Sequence, residues 1–196
     1  MKFIGVLLVL LSFEAFGMTF VDRGDGTLEV SGAINDSDYA RFKDATANGK
    51  VRTVVFKNSR GGDVQTGNLI AGLLQSLKVE TVVEGFCRSQ CAITFLAGHK
   101  RRMNEGAYLG FHSAYRYDGM GMWWPGVIAQ RQIFKEAAGD KYDDGLMELA
   151  GNLPRNQFLV VKANAPTVLC VFDKEYKPET CVAFKDKNAY DLGVLN

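Results

Sequence analysis

The sequence has almost no net charge and no block of basic residues. Its 23 Lys and Arg residues against 22 Asp and Glu residues give a formal charge of +1. A nucleic-acid-binding protein needs a basic patch, so the composition excludes nucleic acid as the expected partner. The sequence also contains no internal repeat, no low-complexity stretch and no sign of a second domain.

Beyond its first residues, the sequence lacks any run of about 18 apolar residues, the length that a transmembrane helix requires. The N-terminus combines Lys2 with an apolar stretch over residues 3–13 and small residues at Ala15 and Gly17. This pattern is typical of a signal peptide cut before Met18; a buried N-terminal helix is the alternative. We therefore expect a signal peptide over residues 1–17. Residues 18–196 would form one domain without membrane contact, in the periplasm or secreted.

Histidine and cysteine are scarce, with two and four residues respectively. Neither histidine lies near a Cys-x-x-Cys spacing, which disfavours a zinc site. An even number of cysteines in an exported protein favours disulfide bonds. We therefore expect bonds between Cys87 and Cys91 and between Cys170 and Cys181, and no bound metal.

Strand and helix patterns alternate along the chain, which predicts an α/β fold with a largely parallel sheet. The pattern predicts strands over residues 27–32, 51–56, 79–86, 101–103 and 107–111, and a terminal β-hairpin over 168–172 and 181–184. It predicts helices over residues 37–47, after Asp63, and over 92–97, 127–138, 142–150 and from Pro154 onward. Ligands bind at the carboxyl ends of parallel strands, and Gly62, Ser89 and His112 each follow a predicted strand.

These residues are the components of a serine hydrolase. A serine hydroxyl attacks only when a base takes its proton, and histidine suits that role near neutral pH. The backbone N–H groups of Gly62 and Gln90 can form an oxyanion hole. Each component also has an ordinary interpretation: Ser89 as a helix cap, His112 as a structural residue, and the glycine pair as a turn.

A loop rich in glycine and aromatic residues follows at positions 114–125. We predict that Tyr115, Trp123 and Trp124 contact the substrate, because large apolar groups in a loop favour binding. We also predict a substrate contact for Gly61. There are two alternatives: the loop forms an oligomer contact, or it is a surface loop that packs its own aromatic side chains.

Three motifs carry a family resemblance. Residues 58–62 read Asn-Ser-Arg-Gly-Gly, residues 85–92 read Gly-Phe-Cys-Arg-Ser-Gln-Cys-Ala, and residues 110–113 read Gly-Phe-His-Ser. Together they resemble the Clp/crotonase superfamily, in particular the proteolytic subunit of Clp proteases and a group of exported members with a Cys-x-Ser-x-Cys motif. The resemblance covers roughly residues 27–113. It implies a spiral of βαβ units, a peptide or protein substrate, no cofactor, and a tendency to form homo-oligomers.

The resemblance also implies roles for individual residues. Ser89 would be the nucleophile, His112 the base, and Gly62 and Gln90 the oxyanion donors. The family's catalytic aspartate precedes a stretch that matches residues 180–184, where this sequence has no acid in register. We place Asp173 third in the triad; Glu179 and Asp186 are alternatives, and a Ser–Lys dyad through Lys100 is a poorer match.

The sequence thus predicts an exported serine hydrolase, in particular a peptidase. The alternative is a non-catalytic periplasmic binding protein that retains the fold; an acyl-CoA role is disfavoured by export. The Cys87–Cys91 bond would either lock the turn that carries Ser89 or act as a simple staple.

Overall fold

A computed structural model describes residues 17–117, 123–126 and 131–196. The predicted signal peptide lies outside these residues, apart from Gly17. The strands are β1 (Thr19–Asp22), β2 (Thr27–Ile34), β3 (Thr53–Gly62), β4 (Glu80–Arg88), β5 (Lys100–Met103), β6 (Tyr108–Phe111), β7 (Ala114–Tyr117), β8 (Trp123–Gly126), β9 (Gln157–Lys162), β10 (Ala165–Phe172) and β11 (Pro178–Lys185). The helices are α1 (Asp38–Thr46), α2 (Val64–Leu77), α3 (Gln90–Leu96), α4 (Arg131–Ala138) and α5 (Asp144–Asn152), with a 3-10 turn at Gly139–Lys141.

The described residues form a nine-stranded sheet in the order β1-β2-β3-β4-β6-β9-β10-β11, with β5 beside the start of β4. Strands β2 to β6 pair in parallel and make up its centre. Antiparallel pairs extend the sheet on both sides, through β1 and through β9 to β11. The α/β class with parallel strands and a terminal hairpin is confirmed.

Apolar central strands explain why this sheet is covered by helices. Val54, Phe56 and Val83 are completely buried, as expected for parallel strands with both faces covered. Helix α3 is buried along its whole length and packs between α2 and strands β3 and β4. The carboxyl ends of β3, β4 and β6 consequently meet at one edge, which brings Gly62, Ser89 and His112 together.

The helix predicted from Pro154 is wrong. Pro154 instead opens a turn, in which the N–H of Gln157 donates to the carbonyl oxygen of Pro154 at 2.9 Å. Strand β9 follows this turn. Residues 158–161 are all buried between β6 and β10. A continuous apolar run of four residues shows neither the helical nor the strand period. Its conformation is therefore set by its backbone pairing with β6 and β10.

Two further boundaries differ from the prediction. Strand β3 continues through Gly61 and Gly62, which pair with Ala33 and Ile34 of β2, so the glycine pair belongs to the strand rather than to a turn after it. The ends of the predicted aromatic loop pair as a two-stranded antiparallel ribbon, β7 with β8. Residues 118–122 lie outside the described part of the chain.

No helix in the described segments combines the length and the apolar character that a membrane crossing demands.

Candidate active site

Ser89 lies at a sharp turn between β4 and α3. Its backbone has φ 54° and ψ −130°, in a region that a residue with a Cβ atom rarely adopts and that costs of order 1–3 kcal/mol. The Ser89 N–H donates to the carbonyl oxygen of Gly110 at 2.8 Å, and its own carbonyl oxygen accepts from the N–H of Ala92 at 3.0 Å. A strained serine between a strand and a helix is the geometry of a nucleophile elbow.

The glycine pair of β3 lies between this elbow and strand β2. At Gly61 (φ +82°), an added Cβ atom would lie 2.5 Å from the carbonyl oxygen of Arg88 and 2.7 Å from the backbone nitrogen of Gln90. At Gly62 (φ +145°), it would lie 2.2 Å from the carbonyl oxygen of Ile34. Only glycine lets backbones approach this closely, so Gly61 lies against the start of α3 and Gly62 lies against the end of β2.

Gln90 anchors the start of α3 to α2. Its side chain is buried, and its Nε2 donates to Oδ1 of Asn68 at 3.1 Å. The side chain passes so close to Gly67 that an added Cβ there would lie 2.3 Å from Cγ of Gln90. The backbone N–H of Gln90, the predicted oxyanion donor, is therefore held on a rigidly packed turn.

Ser89 and His112 face the same cleft. A cleft with an empty volume of about 970 Å³ is lined by both residues together with Gly61 and Gly62. An adjoining narrow pocket is lined by Ser89, Gln90 and His112, and continues toward α5. The structure therefore brings five of the predicted site residues to one place.

His112 is a weakened base. Burial, followed by the positive charges of Arg155 and Arg88, lowers its pKa to about 4. Its ring packs on Phe158, with ring centroids 4.3 Å apart. The imidazole is therefore neutral at physiological pH, the form that accepts a proton, but it accepts that proton less strongly than an ordinary histidine.

The structure places the candidate third residues on the terminal hairpin. Asp173 lies at its turn, where Oδ1 accepts a hydrogen bond from the N–H of Lys177 at 2.7 Å. Glu179 lies on the exposed strand β11, and Asp186 directly follows that strand. The identity of a third residue stays a prediction.

Lys100 lies far from Ser89. It pairs with Glu80 at the start of β4, whereas Ser89 follows the end of that strand. At 3.3 Å per residue the two positions are about 30 Å apart, a separation that disfavours the Ser–Lys dyad.

Both predicted cysteine pairs are bonded. The Cys87–Cys91 bond joins the end of β4 to the first turn of α3 and so spans Ser89. The Cys170–Cys181 bond joins β10 to β11 across the terminal hairpin. In the described part of the chain no three His, Cys, Asp or Glu side chains group in a way that could hold a metal ion.

The backbone of the aromatic segment starts at the cleft. Ala114, the first residue of β7, lines both cavities, and Tyr115 pairs with Pro125 as Trp123 pairs with Tyr117. Trp124 pairs with Arg116 in the same ribbon. The proposed contacts of Tyr115, Trp123 and Trp124 with substrate stay predictions.

The sequence-based reasoning missed a group of cationic and aromatic residues at the cleft. Arg60, Arg155, Phe158 and Tyr176 line it, and Arg88 lies behind Phe158 and Tyr176. The one available signal in the sequence was Arg60, which lies within the Asn-Ser-Arg-Gly-Gly motif of residues 58–62.

Comparison with solved structures agrees with this architecture. A mutant of ClpP1 from Listeria monocytogenes is 16% identical with a TM-score of 0.55, over 88% of this chain and 90% of that one. A mutant of the 1510-N membrane-bound stomatin-specific protease is 14% identical with a TM-score of 0.51, over 85% and 75% of the two chains. No family model and no curated protein sequence matches the chain. The chain thus shares the fold of these two proteins, the fold that the resemblance to the Clp/crotonase superfamily implied.

Proposed function

We propose that this protein is an exported serine hydrolase that cleaves peptides. The observation that carries the proposal is the strained Ser89 elbow, which opens into one cleft with His112 and the Gly61–Gly62 backbone. The fold, shared with Clp-type peptidases, supports the same reaction class.

The residues divide the reaction between them. Oγ of Ser89 attacks the substrate carbonyl carbon while His112 takes the hydroxyl proton. The N–H groups of Gly62 and Gln90 stabilise the oxyanion. His112 then gives its proton to the leaving amine as the C–N bond breaks. In the second half of the reaction, water attacks the acyl carbon while His112 takes a proton from it, and His112 returns this proton to Oγ of Ser89 as the bond between Oγ and the acyl group breaks.

Export and self-association belong to the same proposal. Two disulfide bonds favour an oxidising compartment, in agreement with the signal-peptide pattern, so we place the mature protein in the periplasm or outside the cell. Homo-oligomers follow from the family resemblance.

Labelling of the mature protein with a fluorophosphonate probe tests the proposal. Wild type should be labelled, and Ser89→Ala should lose labelling completely, because the probe forms its bond with Oγ. Ser76→Ala, which removes an exposed hydroxyl on α2, should be labelled like wild type. Hydrolysis of casein and short peptides by wild type but not by Ser89→Ala would extend the result to turnover.

A second function is favoured by the weakened base. A histidine whose pKa lies near 4 suits a cleft that binds peptides without cleaving them. Absence of labelling in folded wild-type protein would favour this non-catalytic binding function over the hydrolase.

A further inference from the structure

The charges at the cleft are all of one sign. Among the described residues that line it, Arg60 and Arg155 are charged and none is Asp, Glu or Lys. Both arginines are exposed. Two acids near the cleft residues in sequence or in the hairpin are engaged locally: Asp63 caps α2 through the N–H of Thr66 at 2.7 Å, and Asp173 accepts from the N–H of Lys177 in the hairpin turn.

A third guanidinium lies directly behind the wall of the cleft. Arg88 is 2% exposed, and its Nη1 donates to the carbonyl oxygen of Tyr176 at 2.9 Å. Its guanidinium carbon lies 4.2 Å from the ring centroid of Phe86, 5.1 Å from Phe172 and 5.5 Å from Tyr176. Within the described residues, Nε of Arg88 has no hydrogen-bond partner.

Arg101 shows how this protein satisfies a buried arginine elsewhere. It is 6% exposed, and its guanidinium donates to the carbonyl oxygens of Gly98, Ala137, Gly193 and Val194. Arg88 has one such carbonyl partner among the described residues. Aromatic rings stabilise a cation less than a hydrogen-bonded anion does, so the charge of Arg88 is only partly compensated.

Arg60 adds to this uncompensated charge. Its guanidinium carbon lies 5.3 Å from the Tyr176 ring, so that the ring is close to both Arg60 and Arg88. The positive charge of Arg60 contributes to lowering the pKa of Arg88, after burial. Neither residue forms an ion pair with a described carboxylate. Like charges at this range repel, and an anion in the cleft would offset the repulsion.

We infer that the cleft binds substrates that carry a carboxylate group close to the scissile bond, with Arg60 and Arg155 as the residues that recognise it. This inference rests on the proposed function for its scissile bond, although the binding itself does not require catalysis. Guanidinium groups suit the role because they hold a carboxylate through two parallel hydrogen bonds. The carboxylate is either an acidic side chain or the free C-terminus of a peptide.

Peptide binding to the folded Ser89→Ala variant, which cannot turn substrate over, tests the inference. Four pools of dye-labelled alanine–glycine hexapeptides carry Glu or Gln scanned through every position, each with a free or an amidated C-terminus. Fluorescence anisotropy reports binding. Tighter binding of the Glu pools identifies an acidic side chain as the ligand, and tighter binding of both free-acid pools identifies the C-terminus. Either preference should weaken as salt rises.

Variants then connect the preference to the arginines. Arg60→Gln and Arg155→Gln, each introduced into Ser89→Ala, should weaken binding of the preferred pool about five- to tenfold. Arg52→Gln is the matched control, because this exposed arginine precedes the opposite end of β3 and contacts the carbonyl oxygen of Asp25; it should leave binding unchanged. The inference is overturned if all four pools bind equally or if none of them binds. It is also overturned if the preference for a carboxylate persists in both Arg60→Gln and Arg155→Gln.

The outcomes separate this inference from the proposed function. Fluorophosphonate labelling without a carboxylate preference leaves the hydrolase standing and removes the inference. A carboxylate preference in a protein that is never labelled removes the hydrolase and keeps the cleft as an anion-binding site.

Discussion

Ser89 and His112 illustrate how differently single residues depend on their surroundings. The conformation of Ser89 follows from its immediate neighbours: a strand before it, a helix after it, and glycines opposite it. The chemistry of His112 depends on burial and on Arg155 and Arg88, of which Arg155 lies in a distant part of the chain. Sequence motifs can predict the first kind of residue and only the position of the second.

At the residue scale, the pH dependence of labelling should report the lowered pKa of His112. Only the neutral imidazole accepts the proton of Ser89, so the rate of fluorophosphonate labelling should rise with a midpoint near pH 4 and be flat from about pH 6 to pH 8. The measurement is the second-order labelling rate across this range, with circular dichroism at each pH to confirm folding. A midpoint near 6.5, the ordinary value for histidine, would contradict the burial and the cationic field that the structure gives His112.

The arginines of the cleft could not be predicted from local sequence. Arg88 belongs to β4, whereas the rings of Phe158, Phe172 and Tyr176 around it come from β9, β10 and the hairpin turn. No spacing rule connects segments so far apart in the chain. The position of Arg88 beside Ser89 in the sequence therefore gives no indication that it will be buried.

At the scale of elements, the Cys87–Cys91 bond links strand β4 to helix α3 across Ser89. We expect Cys87→Ala/Cys91→Ala to label at least about tenfold more slowly than wild type, because a displacement of about 1 Å at a reacting group can cost a hundredfold. Both cysteines are completely buried, so the double variant is a cleaner probe than added reductant.

The comparison variant for this experiment is Cys170→Ala/Cys181→Ala, which removes the bond of the terminal hairpin and leaves the Ser89 turn intact. Labelling is measured well below the unfolding temperature of each variant. Equal labelling of wild type and Cys87→Ala/Cys91→Ala would show a simple staple and remove the idea that the bond locks the elbow.

The elements themselves were predictable where their pattern is periodic. Strands β2 to β4, helix α2 and the terminal hairpin follow the predicted order, because alternating or helical spacing of apolar residues carries the information locally. Strand β9 was missed because Phe-Leu-Val-Val at residues 158–161 has neither period. Its conformation depends on β6 and β10, which offer backbone hydrogen bonds on both sides.

At the scale of the whole molecule, His112 makes stability depend on pH. Its pKa is 6.5 in an ordinary environment and about 4 in the folded protein, so between these values the unfolded chain binds more protons. Stability therefore falls as pH drops from about 6.5 to about 4, by up to about 3 kcal/mol from this residue. Urea unfolding of wild type and His112→Gln across this range measures the effect: the stability of wild type relative to the variant should fall by this amount as the pH drops.

The other histidine supplies the control for this measurement. His99→Gln, at an exposed position, should keep the pH dependence of wild type. If wild type and His112→Gln instead lose stability in parallel as the pH falls, the folded protein does not hold this imidazole neutral.

The sequence by itself determined the α/β class and the meeting of Gly62, Ser89 and His112 at one edge of the sheet. These follow from local periodicity and from the rule that parallel strands end on the same side. The tertiary structure alone decided which strands flank the sheet, how weak a base His112 is, and that Arg60 and Arg155 line the cleft with Arg88 buried behind its wall. Burial and electric field are sums over residues that are distant in the chain, so only the folded arrangement determines them.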